Sequence, residues 1–214
     1  MNILITGANR GIGKAMADRY AARGDAVLRT ARNAPGHLPL DVTRPDSIAA
    51  LPGQIGDAPL DLLVCNAGVF LDKGEDLATG YPATQWAETF AANVTGVFLT
   101  AQALLPHLRR AAHPKIAIIS SQMGSSTLAH GNGLIYRASK AAALNLGFNL
   151  ASALKPEGIA VGIYHPGWVQ TDMGGATADI TEADSATGLI ARFDALSLDT
   201  TGCFQTWDGR AHPV

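Results

Sequence analysis

The sequence predicts a doubly wound α/β fold: one domain over residues 1–214, built on a parallel sheet of about seven strands with helices on both faces. Three observations predict it. Short apolar runs alternate with helix-length segments along the chain. Several of those runs are apolar on successive residues, the pattern of strands covered on both faces. The first run leads through a glycine-rich turn straight into a helical pattern.

Taken in order, the expected strands are Asn2–Thr6, Ala26–Ala31, His37–Leu40, Leu60–Cys65, Lys115–Ser120, Ala160–Tyr164 and Gly202–Thr206. The expected helices are about Gly11–Arg23, Pro45–Ile55, Thr84–Ala112, Leu134–Leu154 and Glu182–Leu196. One connection breaks the rhythm. Only Arg32–Gly36 separates the second strand from the third, with Pro35 and Gly36 marking a turn. A parallel crossover ordinarily needs a helix. Here the helix between strands two and three is expected to be missing or reduced, leaving a bare connection over the sheet edge.

Composition narrows the class of function. Hydrophobic residues make up 47% of the chain and charged residues 16%, which suits a compact domain and excludes a disordered one. A net charge of −2 and the lack of a basic cluster give no footing for nucleic acid. The opening run Met1–Ile5 is too short for a signal peptide or a membrane span, and no later run reaches spanning length. The expectation is a soluble, cytoplasmic protein with no membrane partner. The two cysteines, Cys65 and Cys203, lie apart in apolar runs and read as buried small hydrophobes. The six histidines show no ligand spacing, so no metal site is expected. Trp86, Trp168 and Trp207 read as packing residues, Trp168 also as a pocket neighbour.

The glycine-rich turn carries the first functional signal. It reads Thr6–Gly7–Ala8–Asn9–Arg10–Gly11–Ile12–Gly13 and opens a helix. Such glycines let a backbone turn sharply and approach a pyrophosphate, while the helix N-terminus supplies N–H groups and a positive dipole end. A dinucleotide is therefore the expected ligand. The second strand ends Arg29–Thr30–Ala31–Arg32, with no acid to hold a ribose 2′-hydroxyl. Arg32, aided by Arg10, suits a 2′-phosphate. NADP(H) is favoured; NAD(H) stays possible if both arginines are simply solvated.

The motifs together resemble those of the short-chain dehydrogenase/reductase family. TGANRGIG at Thr6–Gly13 matches its glycine loop, Asn66–Ala67–Gly68 its NAG motif, and Asp41–Val42 the acidic pair near the adenine. Asn93 in FAANVTG, Ser121 in ISSQMG and Tyr136–Lys140 in YRASK match its active-site asparagine, serine and YxxxK signature. His165–Thr171, reading HPGWVQT, matches its PG turn and brings Pro166, Gly167, Val169 and Thr171 to the cofactor side. The matches run in order over nearly the whole chain. Within the family, the text YRASKAAALN and HPGWVQTDMGG resembles the C-factor and sniffer-like carbonyl reductases, apart from one extra alanine.

The resemblance implies a Rossmann-type fold and an oxidoreductase that passes hydride between NADP(H) and a small carbonyl or alcohol. Tyr136 would be the general acid and base. Lys140 lies four residues on along one helix and so shares its face. Its ammonium is expected to favour the phenolate and lower the tyrosine pKa. The family also places this lysine against the nicotinamide ribose. Ser121, at the end of the fifth strand, would orient the substrate oxygen. Asn93, a poor residue for a helix interior, would hold a water linking Lys140 to solvent. Met123, Leu128, His130, Trp168 and Met173 are substrate neighbours by location. Met173–Ile180 is short for a substrate lid, which implies an open pocket. Two helices with apolar residues on more than one face allow a homodimer. The alternative is an NADP(H)-binding sensor or signalling protein with little or no turnover, since the C-factor group includes signalling members.

Overall fold

The computed structural model describes all residues, 1–214. Seven strands form one sheet: β1 (Asn2–Ile5), β2 (Ala26–Ala31), β3 (Leu38–Pro39), β4 (Leu62–Cys65), β5 (Lys115–Ile119), β6 (Ala160–His165) and β7 (Cys203–Thr206). Their order is β3-β2-β1-β4-β5-β6-β7, and every pairing is parallel. The order turns back at β1 and β4, which places a crevice beyond their C-terminal ends.

The runs of successive apolar residues work as expected for a sheet covered twice. Leu4, Leu63, Ile116, Ile118, Val161 and Ile163 point into one buried cluster. Their neighbours Ile3, Ile5, Leu62, Val64, Ala117 and Tyr164 point into the other. Adjacent side chains on a strand face opposite ways, so only an unbroken apolar run can fill both layers.

Helices α1 (Gly11–Ala22), α2 (Pro45–Ile55), α3 (Ala83–Phe90), α4 (Gly96–Leu108), α5 (Leu134–Leu154) and α6 (Glu182–Ala195) cover the faces. Met16 and Tyr20 of α1 and Leu189 and Phe193 of α6 close one layer. Ile48 and Leu51 of α2, Leu104 and Leu108 of α4, and Leu144 and Leu154 of α5 close the other. None of the helices is long and apolar enough to cross a membrane.

The bare connection after β2 is present: Arg32–His37 joins β2 to β3 with no helix. Thr30 and Ala31 pair with Leu38 and Pro39 in parallel, and the Leu40 N–H donates to the Ala31 carbonyl at 2.9 Å. Such a short link holds because β3 is only a stub at the sheet edge. The single long helix expected over Thr84–Ala112 is a correction. It divides into α3, a π-helical turn at Ala91–Thr95, and α4. The widened turn carries Asn93, whose side chain bonds outside the helix.

Helix α5 lies close on the sheet at Gly147. A methyl group there would sit 2.4 Å from Ile163 Cγ1 and 2.9 Å from its Cδ1. Ile163 is stiff at χ1 and fully buried, so it cannot swing aside. Gly147→Ala is expected to destabilise the protein by about 1–3 kcal/mol in urea unfolding, outweighing alanine's better helix propensity. A variant as stable as the wild type would contradict this packing.

Candidate active site

The glycine loop is locked by the loop after β4. Thr6 Oγ1 accepts from the backbone N–H groups of Asn66 (3.0 Å) and Ala67 (2.9 Å). Asn66 Nδ2 donates back to the carbonyls of Thr6 (2.9 Å) and Gly7 (3.1 Å). Gly7 has φ +66° and Gly11 φ +57°, conformations that favour glycine. A Cβ on Gly13 would fall 2.4 Å from the Gly7 carbonyl oxygen and 2.5 Å from Asn66 Nδ2. The turn is therefore closed by glycine at its far end, and α1 begins there with no side chain capping its first N–H groups. Asn66 thus acts through its amide as a clamp on the loop.

Asn9 and Arg10 are exposed on the loop, and Ile12 is half-buried. Arg10 pairs with Asp172, beyond the PG turn. Arg32 is exposed where β2 ends. Asp41 lies close by. Burial pushes its carboxyl up, but hydrogen bonds from Thr43 and the charges of Arg32 and Arg44 outweigh this and hold it below its usual value. A Cβ on Gly96 would meet the Val42 carbonyl at 2.4 Å, so α4 carries a glycine where the Asp41–Val42 segment presses against it.

The expected catalytic four are all buried: Asn93 at 1% exposure, Lys140 at 5%, Ser121 and Tyr136 at 7%. Their elements converge beyond the C-terminal ends of β4 and β5. Ser121 follows β5 and accepts the Met123 N–H at 3.1 Å. Lys140 Nζ donates to the Ile119 carbonyl at 2.9 Å, and Ser120 Oγ donates to the Lys140 carbonyl at 3.0 Å. Lys140 Nζ lies 5.6 Å from the centre of the Tyr136 ring. Gly68 faces both Asn93 and Lys140: a Cβ there would lie 3.0 Å from Asn93 Oδ1 and 3.5 Å from Lys140 Nζ.

Asn93 clamps the strand-end loop. Its Oδ1 accepts the Val69 N–H and its Nδ2 donates to the Val69 carbonyl, both at 2.9 Å. Nδ2 also donates to Ser139 Oγ at 3.0 Å, and Ser139 donates on to the Tyr136 carbonyl at 2.8 Å.

The electrostatics correct one expectation. Lys140 was expected to lower the Tyr136 pKa, but the phenol is instead pushed up to about 12. Burial is the main cause; Ser121 lowers the value through a hydrogen bond, and the charge of Asp72 raises it. Burial also brings Lys140 down to about 8. Its ammonium is directed to the Ile119 carbonyl rather than to the phenol oxygen.

The PG turn packs tightly. Gly167 has φ +88°, and a Cβ there would lie 2.4 Å from Ile180 Cδ1. Ser185 Oγ donates to the Pro166 carbonyl at 2.6 Å. Val169 is buried and forms a bridge with Ile180, so Met173–Ile180 folds back on itself as a short loop. Thr171 Oγ1 donates to the Val169 carbonyl and accepts the Gly174 N–H. Trp168 and Met173 are exposed on this loop, at 46% and 40%. Met123 packs near Gly133 beside Phe70. Leu128 is half-buried and His130 exposed on the stretch before α5. A surface hollow of about 480 Å³ lies elsewhere, between α1 and the start of α6, lined by polar residues such as Lys14, Arg19 and Gln170.

Three neighbours of the candidate residues escape sequence reasoning. Phe70 stacks on Tyr136 with ring centres 4.2 Å apart and planes at 17°. Asp72 is fully buried and accepts the N–H groups that open α5. Ser139 joins Asn93 to the Tyr136 backbone. The one available signal was the glycine at the α5 N-cap, which has no side chain to cap the helix.

Comparison with known proteins agrees with this fold. A family model described as short chain dehydrogenase matches residues 1–181. C-signal of Myxococcus xanthus is 38% identical over 158 residues, covering 72% of this chain and 93% of that protein. The NADPH-bound carbonyl reductase from chicken fatty liver superposes with a TM-score of 0.92 at 30% identity, covering 100% of this chain and 98% of that one. Carbonyl reductase Sniffer of D. melanogaster superposes with a TM-score of 0.93 at 27% identity, covering 100% and 99%.

The Asn93 clamp is open to test. Asn93→Ala leaves both polar groups of the Val69 backbone without partners. The variant is expected to lose about 1–3 kcal/mol of stability in urea unfolding, and an unchanged midpoint and slope would rule the clamp out.

Proposed function

The chain belongs to the short-chain dehydrogenase family, and on that premise we propose that it transfers hydride between NADP(H) and a carbonyl or alcohol, with Tyr136 moving the proton. The observation that carries this reading is the convergence of Ser121, Tyr136 and Lys140, all buried, beside the glycine loop.

The residues present fit a dinucleotide. Gly7 and Gly13 press closely on neighbouring groups of the turn and of the loop after β4, and the uncapped start of α1 would offer its N–H groups to a pyrophosphate. Asn9, Gly11 and Ile12 would line that turn. Arg32, exposed at the end of β2, would take the 2′-phosphate. The NADPH in the chicken carbonyl reductase supports this choice. Arg10 would add charge on leaving Asp172. Asp41 and Val42 would bound the adenine, Ala67 and Gly68 the ribose side, and Pro166, Gly167, Val169 and Thr171 the nicotinamide side.

When bound, the reduced nicotinamide supplies hydride to the carbonyl carbon. The protein's part is the proton. Tyr136, with its pKa near 12, holds its hydroxyl proton at neutral pH and can give it to the developing alkoxide. Ser121 Oγ–H would donate to the same oxygen and fix its position. Lys140, its pKa brought near neutrality by burial, is suited to restore that proton. Asn93 would anchor the route to solvent. Met123, Trp168 and Met173 would border the substrate, with Leu128 and His130 further out. One domain would carry all of this, and exposed Phe98 on α4 supports pairing of two copies through α4 and α5.

The similarity to C-signal favours a second reading, a dinucleotide-binding signalling protein with little turnover. The buried proton-handling cluster counts against it, because binding alone needs no buried tyrosine and lysine pair.

Tyr136→Phe removes the proton donor and is expected to lower kcat by about 100-fold or more with NADPH binding retained. An assay of NADPH oxidation with a panel of aldehydes, ketones and quinones checks this. Equal turnover by the variant would discard the mechanism, and tight NADPH binding with no turnover of any carbonyl would select the signalling reading. Arg32→Asp is expected to weaken NADPH binding by roughly 10-fold or more while leaving NADH within about 2-fold, read by fluorescence titration. Equal losses for both cofactors would remove Arg32 from the 2′-phosphate.

A further inference from the structure

We propose that Asp72 is a positioning residue for Tyr136: a buried carboxylate that caps α5 from the loop after β4 and holds the phenol in place beneath Phe70. This rests on the reading of Tyr136 as the proton donor.

Helix α5 begins without a cap of its own. Its N-cap residue is Gly133, in the left-handed region at φ 59°, with no side chain to accept an N–H. That φ strains any larger residue, and a Cβ there would fit tightly, 3.1 Å from Phe70 Cζ and 3.2 Å from Met123 Cε. The cap comes instead from a residue far away in sequence. Asp72 Oδ2 accepts the Ile135 N–H at 2.7 Å, and Oδ1 accepts the Tyr136 N–H at 3.2 Å. One carboxylate thus grips the backbone of the residue that carries the phenol. Two residues earlier on the same loop, Phe70 lies flat on the Tyr136 ring. The segment Phe70–Leu71–Asp72 therefore holds Tyr136 by both its ring and its main chain.

Asp72 is 0% exposed, which is costly for a carboxylate unless it is satisfied. It has no salt-bridge partner: every ion pair in the structure joins other residues. Its charge is met by the N–H groups at the helix start, where the helix dipole also favours an anion. A neutral cap would suffice to start a helix. A buried, unpaired carboxylate does more, since its field reaches the phenol. The charged groups facing the ring are Lys140 on its own helix and Asp72 on the facing loop; Ser121 and Phe70 complete the surround without charge. Asp72 opposes loss of the phenolic proton and so favours the form of Tyr136 that reduction requires.

The sign of the effect follows. Reduction needs the protonated phenol, and of two alkaline limbs, a lower one near the Lys140 value of about 8 and an upper one near the Tyr136 value of about 12, the upper reports the phenol's pKa. Removing the Asp72 charge lowers that pKa, so the upper limb moves to lower pH. A cap that merely shaped the helix would lower kcat at every pH and leave the limb where it was.

The test uses the full chain with NADPH and whichever aldehyde, ketone or quinone the wild type reduces. Asp72→Asn keeps the size and one acceptor but loses the charge. It is expected to keep wild-type NADPH affinity, to lose about 10-fold in kcat, and to move the upper alkaline limb of kcat down by about half a pH unit or more. Amide hydrogen exchange at Ile135 and Tyr136 is expected to quicken. Asp72→Glu, which restores the charge, is expected to return the limb towards its wild-type position. If Asp72→Asn does not fold, Asp72→Ser, a small neutral cap, gives the same readout. An unshifted limb in the neutral variant overturns the proposal, whatever happens to kcat. With Tyr136→Phe inactive, that result removes only the role of Asp72; an active Tyr136→Phe would remove the proton donor itself.

Discussion

Both backbone groups of Val69 bond to the side-chain amide of Asn93, and most of the candidate site depends on that pair of bonds. A loop leaving a buried strand has polar groups with no ladder to join. The Asn93 amide satisfies one N–H and one C=O at once, which fixes both the position and the orientation of the loop. From Val69 the chain runs directly to Phe70 and Asp72, which meet the Tyr136 ring and backbone. The same amide reaches Ser139 and, through it, the Tyr136 carbonyl. The π-helical turn between α3 and α4 belongs to this arrangement. It is where a helix interior gives up regular geometry around a side chain that bonds elsewhere.

A second lock of the same kind holds the glycine loop. Asn66 and Thr6 exchange bonds between the loops after β4 and β1, the two strands at which the sheet order turns back. The loop after β4 is thus tied to the glycine loop at one end and to α5 at the other. This explains why the ends of β1, β4 and β5 form one crevice. It also explains why Gly13 has no room for a side chain and Gly68 little: each lies between two clamped segments.

Burial dominates the electrostatics. It drives the Tyr136 phenol up to about 12 and the Lys140 ammonium down to about 8, so each group is moved toward its neutral form. The expectation from spacing alone, a lysine lowering the pKa of a tyrosine one turn away, counted the charge and not the dehydration. Four residues along a helix bring two side chains to one face, but do not say where an ammonium points. Here it points to the Ile119 carbonyl at the end of β5.

Much was legible in the sequence. The strand–helix alternation, the doubly apolar strands, the bare link after Arg32 and the start of α5 at Leu134 all follow from local rules of pattern, turn and length. The ordered motifs from Gly7 to Thr171 identified the family, because glycine loops and YxxxK are contiguous text. The division of the long helix at Ala91–Thr95 was not legible, since it answers to a bond with a loop distant in sequence. Neither were Phe70, Asp72 and Ser139. A phenylalanine, an aspartate and a serine carry no signature of their own, and their meaning comes from what lies against them. By itself the sequence determined the fold and the family and pointed to the candidate residues around Tyr136, because those are written in short-range pattern. Only the tertiary structure decided how Tyr136 is held and charged, because burial and contact across the sheet depend on residues brought together by the whole chain.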